Sequence, residues 1–127
     1  MTAPYNRSMQ KCGVLLAVVM FALTASAQDV AKANPKTITV KLDNAKVRVL
    51  EAILPPGAKE HMHSHPASIV YVLSNGTLRS HSADGKTTDS KVKAGDVFYR
   101  EPLTHWAENT GTTPLRMIVV ELKTPSP

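Results

Sequence analysis

The chain carries 127 residues and a formal net charge of +5, yet its basic side chains are interleaved with acidic ones, as in Lys46, Arg48 and Glu51 or Lys86, Asp89 and Lys91. A charge spread this evenly is a solvated surface, and it excludes nucleic acid as a partner. The single cysteine, Cys12, excludes a disulfide framework.

At the N-terminus Arg7 and Lys11 precede or open an apolar run, "GVLLAVVMFALT" (13–24), and "ASAQ" then offers a small-x-small cleavage site after Ala27. This is the layout of a secretion signal, so residues 1–27 are expected to be a signal peptide. A start at Met9 would shorten the signal without moving the cleavage site. The run is about a dozen residues, whereas a membrane span takes roughly 20, so no stable membrane anchor is expected after cleavage. Cys12 lies ahead of the run rather than behind it, which argues against lipid attachment. The expected product begins at Gln28, keeps a charge of about +3 by the same residue count, and is periplasmic or secreted. It is long enough for one small domain with a single core.

Residues 28–36, "QDVAKANPK", are polar and read as a flexible lead-in. From Thr37 the sequence takes a period of two, "TITVKL" and "AKVRVLEAIL" around a turn at "DNA", which predicts half-buried strands before "LPPGAKE" interrupts them. "SIVYVLS" is a nearly continuous β-branched run, and Asn75-Gly76 predicts a hairpin into "TLRSHS". A second hairpin is expected at "ADGK". "KVKAGDVFYRE", "THWAEN" and "LRMIVVEL" are three further strand-like stretches, with "TGTTP" a loop between the last two. No helical periodicity is sustained. Short strands punctuated by Gly, Pro and Asn predict an all-β sandwich or small barrel over 37–123, with a fraying tail at 124–127.

One stretch stands out: "KEHMHSHPAS" (59–68) places His61, His63 and His65 at every second position. On an extended strand such residues share a face, which is the geometry a metal needs from one strand. Imidazole suits zinc, iron, copper and nickel, and manganese less well, so the ligands do not name the ion. Surface histidines beside a proline loop are the plain alternative. Three in alternation, an apolar strand after them and a later His105 in "PLTHWAEN" weigh against it.

These segments resemble the cupin family, whose motifs read G(x)5HxH(x)3-4E(x)6G and G(x)5PxG(x)2H(x)3N. Gly57 followed by "AKEHM" puts the HxH pair on His63 and His65, Gly76 closes the first motif, and Gly95, His105 and Asn109 fall in the second. The resemblance implies a small double-stranded β-helix, a jelly-roll barrel, holding a divalent metal ion (Fe, Zn, Mn, Ni or Cu) on His63, His65 and His105. It also implies a homodimer. Two departures accompany it. The motif's glutamate is absent, its place falling to Ser68 when aligned on "VYVL" or to Ile69 when counted back from Gly76. The second motif is one residue short, with "EPLT" replacing the usual proline and glycine.

Three neutral imidazoles leave an ion's double charge uncompensated, so such a site would be a stronger Lewis acid and favour anionic ligands. Three protein ligands also leave coordination positions open, as in catalytic rather than structural sites. The expected function is therefore an exported metal-binding cupin, an enzyme of oxygenase, isomerase or hydrolase type acting on a small anionic molecule. A non-catalytic module binding a small molecule or metal ion is the alternative on the same barrel, and a metal-free barrel is a third reading. His61 is a further candidate site residue, as a fourth ligand, a proton shuttle or a group at the barrel mouth, and Ser68 another as the residue in the glutamate's place. Tyr71, Tyr99 and Arg79 would bind an anion if they face inward. His81 and Glu108 read as surface groups, Trp106 as packed outside the site, and Asn109 as a strand-end hydrogen-bonder.

Overall fold

Nine strands and one short helix follow one another along residues 28–124, the part of the chain that the computed structural model describes. The signal peptide expected over 1–27, with Cys12, lies outside the described residues, as do residues 125–127. After α1 (Val30–Ala33) come β1 (Ile38–Asp43), β2 (Val47–Leu54), β3 (His63–His65), β4 (Ser68–Val72), β5 (Gly76–Ser82), β6 (Thr87–Val92), β7 (Val97–Arg100), β8 (Leu103–Asn109) and β9 (Leu115–Leu122). They form two antiparallel sheets, one ordered β1-β2-β9-β4-β7 and the other β3-β8-β5-β6. Among the described residues no helix is long and apolar enough to cross a membrane.

The core lies between the sheets, and the period-two pattern puts it there. On β2, β4 and β9 alternate residues turn inward: Leu50, Ala52 and Leu54; Val70 and Val72; Leu115, Met117 and Val119. The other sheet answers with Leu78, Val92 and Ala107. Leu50, Leu54 and Leu115 are fully enclosed, so truncating any one to alanine should cost about 2–5 kcal/mol. β9, with β2 on one side and β4 on the other, is a central core strand.

Three expectations need correcting. The Asn75-Gly76 hairpin does not form: β4 pairs with β7 and β9, while β5 pairs with β6 and β8, so this segment crosses between sheets. Gly76 is wanted there for closeness, since a Cβ would stand 3.0 Å from Leu115 Cδ1. "KVKAGDVFYRE" is not one strand either. Gly95, at φ +93°, turns the chain between β6 and β7, which belong to different sheets. The "ADGK" hairpin forms as expected, joining β5 to β6 through Gly85 at φ +88°.

The third correction is the lead-in. Residues 28–36 are folded onto the barrel: Asp29 caps α1 by accepting from Ala31 and Lys32 N–H groups, Val30 enters the core, and Ser64 N–H donates to the Gln28 carbonyl. Asp29 also ion-pairs with Arg48 of β2, which holds its carboxyl down at about 2. Polar composition hid this because one buried valine and one cap suffice to dock a four-residue helix.

Candidate metal centre

β3 and β8 pair so that His63 lies directly opposite His105, with His65 opposite Leu103. Cross-strand partners share a face, and so do residues two apart, so all three imidazoles turn into the barrel. Their ring centroids stand 4.8, 4.8 and 5.4 Å apart, and all three residues are buried. Each offers one ligating nitrogen within 4.8 Å of the others.

The outer nitrogen of every ring is engaged. His63 Nδ1–H donates to the His61 carbonyl at 2.7 Å, His65 Nδ1–H to Glu121 Oε1 at 2.7 Å, and His105 Nδ1 lies 2.9 Å from Ser80 Oγ. The carbonyl and the carboxylate can only accept, so they fix the tautomer of His63 and His65 and leave each Nε2 as a lone pair, whereas the Ser80 hydroxyl can serve either tautomer of His105. Burial lowers His63 to about 4 and, with help from the neighbouring histidines, His105 to about 3, so both are neutral at pH 7. The Nε2 atoms of His63 and His65 nevertheless face each other at 3.0 Å, and the buried His105 Nε2 has no protein partner. Two facing lone pairs repel unless a cation sits between them, and nitrogens at right angles on an ion about 2.1 Å away stand about 3 Å apart. The residues present therefore fit a divalent metal ion.

The expected five-residue histidine strand is shorter than its alternation suggests. Pro66 follows β3, and before it the chain bulges: Lys59 faces Glu108 while His63 faces His105, so four steps on one strand match three on the other. His61 N–H is taken by Asn34 Oδ1 of the folded lead-in, at 2.6 Å. The bulge reverses the phase. His61 is exposed and lines a surface groove with Lys32, Lys36 and Lys59, and Glu60 turns inward in its stead. The Glu60 side chain is only 7% exposed, with Oε2 3.9 Å from His63 Nε2. Burial pushes its carboxyl up to about 7 against the opposing pull of the Ala107 backbone and Arg100.

The facing sheet contributes a polar row. In register across it stand Arg48, Glu121, Ser68 and Arg100. Glu121 accepts from His65 and lies 3.8 Å from Arg48, which ties it on to Asp29. Ser68 faces in, 1% exposed and with Oγ unpartnered among the described residues, whereas Ile69 faces out, so the motif glutamate's place belongs to Ser68. Arg100 and Glu60 share a cavity of about 30 Å³ with His65 and His105.

Other expected residues lie elsewhere. Tyr71 and Tyr99 point outward from the five-stranded sheet, and Arg79 pairs with Asp89 on the surface. His81 is half-buried rather than exposed: it stacks on Trp106 with centroids 3.7 Å apart and meets Glu108 at 3.0 Å. Asn109 is the strand-end bonder it was expected to be, donating to the Leu54 and Thr113 carbonyls. Sequence reasoning missed Glu60, Arg100, Glu121, Asn34 and Ser80. Only Glu121 carried a signal, as a charge in phase with Leu115, Met117 and Val119.

The comparisons agree with this architecture. Residues 50–121 match the family model described as the cupin domain. A cupin-domain crystal structure from Bordetella pertussis Tohama I is 28% identical, with a TM-score of 0.64, covering 68% of this chain and 92% of its own. A Klebsiella pneumoniae protein with a double-stranded β-helix domain is 24% identical, with a TM-score of 0.56 and coverage of 80% and 94%. A cupin-like protein from Thermotoga maritima is 25% identical, with a TM-score of 0.52 and coverage of 71% and 69%. Among curated proteins none matches the sequence. With the motif histidines converging in a two-sheet antiparallel barrel and more than half of the chain matched, the chain belongs to the cupin family.

Proposed function

We propose that this protein is an exported cupin that holds a divalent metal ion on His63, His65 and His105 and uses it to bind and act on a small anionic molecule. One observation carries the reading: the two Nε2 lone pairs 3.0 Å apart, in rings whose Nδ1 atoms are already engaged. The ion would supply Lewis acidity, undiminished by any carboxylate at the family's usual position. Glu121 orients His65 and stabilises its Nδ1 proton, the His61 carbonyl does the same for His63, and Ser80 steadies His105.

Metal analysis of protein purified without a nickel column tests this. About one equivalent of a divalent ion per chain is expected, falling to background in His105→Ala. Stoichiometry unaltered by that substitution would remove the three-histidine centre from consideration. Export rests on the N-terminal sequence, and intact-mass analysis of exported protein should begin at Gln28. A chain recovered in the membrane fraction with residues 1–27 attached would sink that part. Pairing into a homodimer through the outer face of β4 and β7, where Ile69, Tyr71, Val97 and Tyr99 are exposed, belongs to the same proposal. Sedimentation at micromolar concentration distinguishes dimer from monomer.

A further inference from the structure

The cavity beneath the histidines holds two charges that the metal reading does not use. Glu60 and Arg100 line it beside His65 and His105, against apolar walls that include Leu50, Leu78, Met117 and Val119. Arg100 reaches it from β7, in register with buried Ser68. Arg100 is half-buried, and among the described residues no acidic side chain lies within ion-pair distance of its guanidinium and none hydrogen-bonds it; the acid that shares its cavity is Glu60. The planar fork of a guanidinium without a bonded partner matches a carboxylate better than any other group.

We infer that Arg100 anchors the carboxylate of a small ligand in this cavity, beside the histidine cluster, and that Glu60 competes with that ligand for the guanidinium. The inference rests on the small-anion reading above and narrows it in chemistry, to a carboxylate. Acetate is the simplest probe of that chemistry.

Calorimetric titration of acetate into the full chain, metal-loaded and metal-free, tests it, with metal content measured separately. Acetate and formate should bind, while acetamide, of the same shape as acetate but uncharged, should not. Arg100→Gln should weaken acetate at least tenfold with metal content unchanged, Arg100→Lys should recover part of the loss, and Glu60→Gln should tighten acetate severalfold. Equal acetate affinity in Arg100→Gln and the natural chain, or no acetate binding to the metal-loaded protein, overturns this inference and leaves the metal reading standing. A chain that takes up no divalent ion yet binds acetate through Arg100 overturns the metal reading and leaves this one. Should Arg100→Gln fail to fold, the natural protein decides, because acetamide binding as tightly as acetate would show that the cavity does not select charge.

Discussion

The two sheets divide the site between them. The four-stranded sheet supplies all three imidazoles from β3 and β8, and the five-stranded sheet supplies Glu121, Ser68 and Arg100 from β9, β4 and β7. One wall carries neutral donors and the other carries charge. Under the proposed function, the division teaches that capacity for a metal and preference for a ligand would be set by different strands, and so could be changed separately.

Substitutions that break this division rank by expected effect. His105→Ala removes a ligand from the donor wall and should lower metal affinity by at least about 100-fold, read by competition with a chelating dye. Glu121→Gln leaves all three ligands but takes the carboxylate from His65 Nδ1, and the expected loss is about 10–100-fold. A loss as large as that of His105→Ala would mean that the charged wall is part of the donor set.

Ser68→Glu moves a carboxylate onto the charged wall at the family's usual position. Metal affinity should rise about tenfold and affinity for small anions should fall, because the new group competes for both charge and an open position. Its placement beside Glu121 and Arg100 in the ladder makes the direction informative: a weakened metal site would mean that repulsion from Glu121 outweighs the added ligand. Ile69→Glu, on the outer face, should leave metal binding unchanged, its effect falling instead on the proposed pairing of chains through that face.

Acidity sharpens the comparison without mutation. In the metal-free protein His63 and His105 refuse protons down to about 4 and 3, while the unfolded chain takes them up near 6.5. Glu60 runs the other way, keeping its proton up to about 7 where the unfolded chain releases it near 4.5. Two protons favour the unfolded state and one favours the native state, so stability falls as pH falls from about 6.5 to 5. The slope is about 1 kcal/mol per pH unit. Urea midpoints of metal-free protein across that range check this, and a rising midpoint would mean that the histidines are not buried neutral. Bound metal should then be retained to a lower pH than free imidazoles would allow, since His63 and His105 resist protonation.

The fold was legible because most strands keep one face apolar, and the histidine cluster because a pair step along β3 and a cross-strand partner on β8 put His63, His65 and His105 together. The charged wall was not. β7 is an edge strand with apolar Val97, Phe98 and Tyr99 exposed on both of its faces, so nothing in "VFYR" says which way Arg100 turns. Glu60 was hidden by the bulge, where alternation counted back from His63 selects His61. Asn34 sits in a polar segment with no period, and its role follows from tertiary contact alone.

That bulge also makes the identity of an inward group a matter of counting. Four residues span the distance for which the opposite strand uses three, so removing Met62 would let the ladder close evenly and leave Glu60 one pair step from His63, on the inward face, with His61 still turned to the surface. One lost codon would thus straighten the strand while keeping the same carboxylic acid beside the imidazoles. Metal stoichiometry and acetate affinity of that deletion variant should match those of the natural chain, and a change in both would mean that the extra residue does more than set the phase.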